Sequence, residues 1–112
     1  LQLGNPLDYN WGSSSPLPDQ LGDDFWSARW TGTFHFDDGN FVFQAHADDG
    51  VRVWLDGYLV IDQWVDGYKE VTNRFLGVGQ GEHTVQVEYY ERSGLASLRL
   101  WWFKEAGAFG PR

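Results

Sequence analysis

The sequence predicts an all-β fold, an antiparallel β-sandwich built as a single compact domain, and three observations lead there. Asp-Gly recurs at Asp38-Gly39, Asp49-Gly50, Asp56-Gly57 and Asp66-Gly67 with strand-like runs between, the turn spacing of a sandwich or barrel. Those runs alternate apolar and polar residues with period two, as half-buried strands do. Fourteen glycines and the lack of any sustained helical periodicity argue against long helices.

Residues 1–24, rich in Pro, Ser, Gly and Asn, are expected to form an extended lead-in wrapping the sheet. From Phe25 to Phe36 the even positions carry Trp26, Ala28, Trp30, Phe34 and Phe36 against Ser27, Arg29, Thr31, Thr33 and His35, with Gly32 a candidate bulge. In the next run the apolar parity is odd, at Phe41, Phe43, Ala45 and Ala47. Val51–Leu55 and Tyr58–Asp62 flank Asp56-Gly57, a strong two-residue hairpin signal. The register pairs Leu55 with Tyr58, Trp54 with Leu59 and Val53 with Val60. Both faces of this hairpin are apolar, which predicts a central position covered on both sides. Thr72–Leu76, Thr84–Tyr90 and Ser97–Phe103 complete a set of about seven strands. Val85, Val87 and Tyr89 share one face, and Leu98, Leu100 and Trp102 another. The domain is expected over 1–105, with Ala106 to Arg112 a linker stub.

At 112 residues the chain has the size of one domain, and folding at this length hides roughly two thirds of the unfolded surface. Aromatic residues make up 18%, enough large side chains to build a core without disulfides or structural zinc. Cysteine is absent, which excludes thiol chemistry and Cys-ligated metal. The formal charge of −8 repels nucleic acid, whose binding relies on Lys and Arg neutralising phosphates. No apolar run is long enough to span a bilayer, so direct membrane insertion is not expected. Beginning at Leu1, lacking Met and showing no signal peptide, the chain is expected to be a mature fragment or excised domain with flanking domains in a larger protein.

Catalysis finds no positive sign. A catalytic carboxylate pair converges across a cleft from different elements, whereas Asp23-Asp24, Asp37-Asp38 and Asp48-Asp49 are adjacent. Turn chemistry alone accounts for them. His35, His46 and His83 lack metal-ligand spacing and are expected to face solvent. Ser13, Ser14 and Ser15 lie in the lead-in without a nucleophile-elbow context. Trp26, Trp30, Trp54 and Trp102 are assigned to the core. Trp64, Tyr68 and Tyr90, in or beside loops, are the candidates to stack on a ligand.

Three segments together resemble the PA14 domain, the β-sandwich named after a fragment of anthrax protective antigen. They are Asp24 through Gly32, Asp48 through Trp64, and Gly81 through Glu91 continuing to Trp102. Asn10-Trp11-Gly12-Ser13 also fits bacterial members. In sugar-binding members, two consecutive aspartates joined by a cis peptide bond grip one calcium, which in turn coordinates sugar hydroxyls. The matching residues are Asp48 and Asp49. A second loop supplies an Asn side chain and two backbone carbonyls, positions that fall at Glu91, Ser93 and Leu95. Glu91 thus departs from the Asn of fungal adhesins and adds charge. Calcium suits such a set because a hard dication takes six to eight oxygen ligands.

The resemblance implies a non-catalytic, calcium-dependent carbohydrate-binding module of an extracellular or cell-surface protein, such as an adhesin. A glycan or polysaccharide would be its partner. Its ligand-binding residues would be Asp48, Asp49, Trp64, Tyr68 and Tyr90. A structural spacer or protein-contact domain is the alternative, since fold alone does not specify function.

Overall fold

The computed structural model describes residues 8–12 and 26–105. Eight strands run in chain order: β1 Asp8–Gly12, β2 Trp26–Phe36, β3 Gly39–Asp48, β4 Gly50–Leu55, β5 Tyr58–Gln63, β6 Lys69–Val78, β7 Gly81–Glu91 and β8 Ala96–Lys104. They form two antiparallel four-stranded sheets, ordered β1-β8-β3-β6 and β2-β7-β4-β5. The predicted all-β sandwich is the observed fold. Within the lead-in, expected to run extended along the sheet, β1 pairs with β8, Tyr9 opposite Leu98. Asp23-Asp24, Phe25, Ser13–Ser15 and the stub at 106–112 lie outside the described residues.

Period-two alternation places the core between the sheets. Trp30, Phe36, Phe43, Val87, Tyr89 and Leu100 are fully buried there, each on the inward parity of its strand. Gly32 holds its place in that parity opposite Val85, in a β2–β7 pairing that runs without a bulge. The expected bulge is absent because the inward-facing slot needs no extra residue.

Two expectations for the central hairpin change. The register begins as predicted, with Leu55 opposite Tyr58 and Trp54 opposite Leu59, but a bulge then sets Val53 opposite Ile61. One extra residue on β5 turns both Val60 and Ile61 inward, which explains why two consecutive side chains are buried. Only half of the hairpin is central, since β4 lies between β7 and β5. β5 is a sheet edge, and Tyr58 and Leu59 are exposed. Trp54 shares the outward parity of β4 with Arg52 and is half-buried on that face rather than in the core.

The turn itself has Asp56 at φ 50° and Gly57 at φ 83°, the left-handed pair that a two-residue hairpin turn requires. Gly57→Val is expected to cost about 1–2 kcal/mol, the penalty of a left-handed conformation for a side chain with Cβ. A thermal melt checks it, and an unchanged midpoint would contradict the turn geometry.

His83 was expected to face solvent. It instead shares the inward parity of Val85, and its ring meets Phe36 edge-on at 5.4 Å. Both ring nitrogens face acceptors, Nδ1 the Asp56 carboxylate and Nε2 the Gly79 carbonyl. Only the imidazolium donates from both nitrogens. The hydrogen bond with Asp56, and then that with Gly79, therefore raise the His83 pKa above 6.5. Burial alone would raise Asp56, but hydrogen bonds from His83 and the Thr84 amide hold it below 3.8. A raised histidine adds stability that is complete below 6.5 and is lost as pH rises through its folded value. A lowered aspartate adds stability present above 3.8 and lost as pH falls through its folded value. The pair is thus strongest between those limits. Across pH 6 to 9, the parent should lose at most about 1 kcal/mol more than His83→Asn, the scale of exposed pairs. Parallel urea-midpoint profiles for the two proteins would refute the pairing.

Candidate functional site

Three crossings between the sheets lie at one end of the sandwich. The chain passes from β3 to β4 through Asp49 alone, from β5 to β6 through residues 64–68, and from β7 to β8 through residues 92–95. Register holds these crossings together: Gly50 faces Tyr90, Val51 faces Gln63, Ala47 faces Lys69 and Asp48 faces Ser97. The site is built here.

The peptide bond between Asp48 and Asp49 is cis. The carboxylates of Asp48, Asp49 and Glu91 each offer an oxygen within 4.8 Å of the others. Asp49 is 4% exposed and Glu91 1%. Asp49 ties the loops to one another: its Oδ1 accepts from the Gly67 amide at 2.7 Å and its Oδ2 from the Arg92 amide at 2.8 Å. Lys69 fastens the same region, its ammonium donating to the carbonyls of Asp49, Val65 and Gly67. Tyr89, buried beneath, donates its hydroxyl to the Asp48 carbonyl.

Electrostatics follow from this crowding. Burial pushes the Asp48 carboxyl up, and its hydrogen bond and repulsion with Asp49 add to that. Burial would raise Asp49 as well, but hydrogen bonds with Glu91 and with the Gly67 and Arg92 amides hold it well below the usual carboxylate range. Burial, then the negative charges of Glu91, Asp48 and Asp49, raise the Tyr89 phenol, which keeps it a neutral donor. Three carboxylates converging with hard oxygen donors form a set that suits a hard divalent cation.

Beside the cluster opens a shallow hollow of about 500 Å³, lined by Trp26, Trp64, Asp66, Tyr90, Glu91 and Arg92. The Tyr90 ring lies edge-on to Trp64 at 4.7 Å, and its hydroxyl donates to Asp66 Oδ1 at 2.7 Å. Burial and this hydrogen bond push the Tyr90 phenol up to about 12. Arg92 binds the other Asp66 oxygen at 2.8 Å. The Arg52 guanidinium sits 3.9 Å from the centre of the Trp64 ring.

Of the residues singled out from sequence, the structure brings Asp48, Asp49 and Glu91 into one cluster and Trp64 and Tyr90 to the adjoining hollow. Tyr68 points elsewhere, its hydroxyl bonded to Glu70 at 2.9 Å and its ring 6.3 Å from His46. Ser93 and Leu95, whose expected contribution is a backbone carbonyl each, are exposed in the β7–β8 loop that follows Glu91. Sequence reasoning missed Gly67, Lys69, Asp66 and Arg92. Asp66-Gly67 carried only a turn signal, and nothing local marked the others.

A family model for the PA14 domain matches residues 5–108. The chain belongs to the PA14 domain family. It is 33% identical over 100 residues to the anti-sigma-I factor RsgI3 of Acetivibrio thermocellus, a match covering 86% of this chain and 15% of that protein. Among solved structures, an anti-sigma factor domain-containing protein is 30% identical with a TM-score of 0.81, covering 93% of this chain and 37% of the other. The PA14 sugar-binding domain from an RTX adhesin superposes with a TM-score of 0.75 at 23% identity, covering 96% of this chain and 72% of that one. At that identity it shows the shared fold. The chain therefore spans 15% of the full-length relative and 37% of the solved anti-sigma factor protein.

Proposed function

We propose that this PA14 domain is a calcium-dependent carbohydrate-binding module of an exported or cell-surface protein. Asp48, Asp49 and Glu91 would hold the cation, and Tyr90 and Trp64 would contact the apolar face of a sugar. The observation that carries this reading is the convergence of three carboxylates within 4.8 Å, two of them buried, beside an aromatic-walled hollow. Calcium takes six to eight oxygens, so a site with three side-chain donors leaves positions that water or vicinal hydroxyls can fill. The sugar-binding domain of the RTX adhesin shares the sandwich.

Thermal melting with calcium, with magnesium and with chelator tests the cation. Extracellular calcium modules have dissociation constants of about 10⁻⁴–10⁻³ M. At ten times such a constant, a ligand of the folded state adds about 1.4 kcal/mol, which raises Tm by about 5–10 °C at this size. Magnesium prefers a smaller, water-retaining octahedral shell and should substitute poorly. Asp48→Asn should abolish the calcium increment while melting near the parent in chelator. A glycan array run with and without calcium then tests the sugar.

A spacer or protein-contact domain is the second reading. It is favoured by the loops already being cross-linked by protein groups, through Lys69 and through the two amides on Asp49. Melting indifferent to chelator would put it ahead.

A further inference from the structure

Trp64 follows β5 and folds back over the outer face of its own sheet, resting against Arg52 and Tyr90. Beneath it run two cross-strand rungs. Ser27, Tyr90 and Gly50 form the first; Arg29, Glu88 and Arg52 form the second. Trp64 and Ser27 both line the hollow beside the carboxylates. A second hollow of about 350 Å³ is lined by Trp64 together with Ser27, Ala28, Arg29 and Glu88. Ser27 and Trp64 are common to both, so the two depressions share a wall.

We infer that the domain grips an internal stretch of a polysaccharide chain across Trp64, with one sugar unit in each hollow and Arg29 and Glu88 forming the second subsite. This rests on the carbohydrate reading above and adds that the ligand is a chain rather than a terminal sugar. The floor of the second hollow is polar and held in place: Arg29 Nε donates to Glu88 Oε2 at 2.9 Å, and Glu88 lies opposite Arg52 on its other side. A guanidinium has five donors and a carboxylate about four acceptor positions, so a paired Arg and Glu can still meet neighbouring hydroxyls. Arg52 covers one face of the Trp64 ring, and the remaining surface of this 37%-exposed side chain supplies the apolar wall that a pyranose needs. Both hollows are shallow and open to solvent, which allows a chain to enter and leave at either end. Of the three clustered carboxylates only Glu91 lines the first hollow and none lines the second, so contacts in the second stand apart from the proposed cation.

Calorimetric titration in calcium with glucose, xylose and galactose, and with the β-1,4-linked disaccharide and trisaccharide of each, tests the inference. In at least one series the disaccharide should bind about tenfold tighter than the monosaccharide, a gain of about 1.4 kcal/mol, with little more from the third unit. The Arg29→Ala/Glu88→Ala double variant should lose that gain and keep the monosaccharide affinity. Glu88→Gln, which preserves shape, should reduce the gain if the double variant folds poorly. Monosaccharide binding with no gain on lengthening, or a gain that survives these variants, overturns the second subsite and leaves the calcium site standing. Failure of every sugar of every length to bind in calcium overturns the carbohydrate reading and the inference with it.

Discussion

Asp49→Ala is expected to destabilise the domain by about 2–5 kcal/mol in chelator, before any metal is considered. Each Asp49 oxygen accepts a backbone amide from a different loop, Gly67 at 2.7 Å and Arg92 at 2.8 Å. Hydrogen bonds to a charged group contribute about 1.5–3 kcal/mol each, and removing the acceptor leaves the donors without it. A domain with about 5–15 kcal/mol of stability feels such a loss strongly. Urea unfolding in chelator measures it. Asp48→Asn, which leaves both amides on Asp49, should stay near the parent midpoint. If the two variants unfold alike, the loops are not anchored through Asp49. The contrast also separates the aspartate that anchors the loops from its neighbour, whose proposed part is to hold the cation.

Gly50→Ala is expected to dismantle the aromatic half of the site. A Cβ at position 50 would stand 2.0 Å from Tyr90 Cε2 and 2.5 Å from Cδ2. The ring would have to leave its place over the glycine, giving up its contact with Trp64 and its hydrogen bond to Asp66. Overpacking of this kind costs about 1–3 kcal/mol. Sugar binding should fall below detection while the calcium-induced rise in Tm persists, because the carboxylates of Asp48, Asp49 and Glu91 are untouched. Tryptophan fluorescence reports the loss of Tyr90 from Trp64 independently of any ligand. An unchanged spectrum together with unchanged sugar affinity would show that Tyr90 can vacate its position at no cost. Glycine at this position answers to the ring above it, and not to the turn that Asp-Asp-Gly suggests.

The strands were legible because alternation is local: a polar residue between two buried ones needs no knowledge of its partner strand. Trp30, Phe43, Val87 and Leu100 could be placed in the core from parity alone. The turn at Asp56-Gly57 was legible for the same reason, since its left-handed geometry is a property of the two residues that make it. Asp48, Asp49 and Glu91 entered as candidates by resemblance to a family pattern, not by any local signal for a metal.

Other features required the fold. The bulge that turns Val60 and Ile61 inward, and the edge position of β5, depend on how the hairpin meets the rest of its sheet. The apolar character of Trp54 and Leu59 could not reveal whether another layer covered them. His83 was misplaced on the surface although its parity matches Val85, Val87 and Tyr89, and only its partners, Phe36 and the Asp56 carboxylate, required the fold. Lys69, Gly67 and Arg92 converge on Asp49 from 18 to 43 residues away in the chain. Sequence by itself determined the inward parity at Trp30, Phe43, Val87 and Leu100 and the turn at Asp56-Gly57, since both follow from a few neighbouring residues. Tertiary structure alone decided which loops meet at Asp49 and that Trp64 lies over its own sheet, because those contacts join segments whose spacing carries no periodic signal.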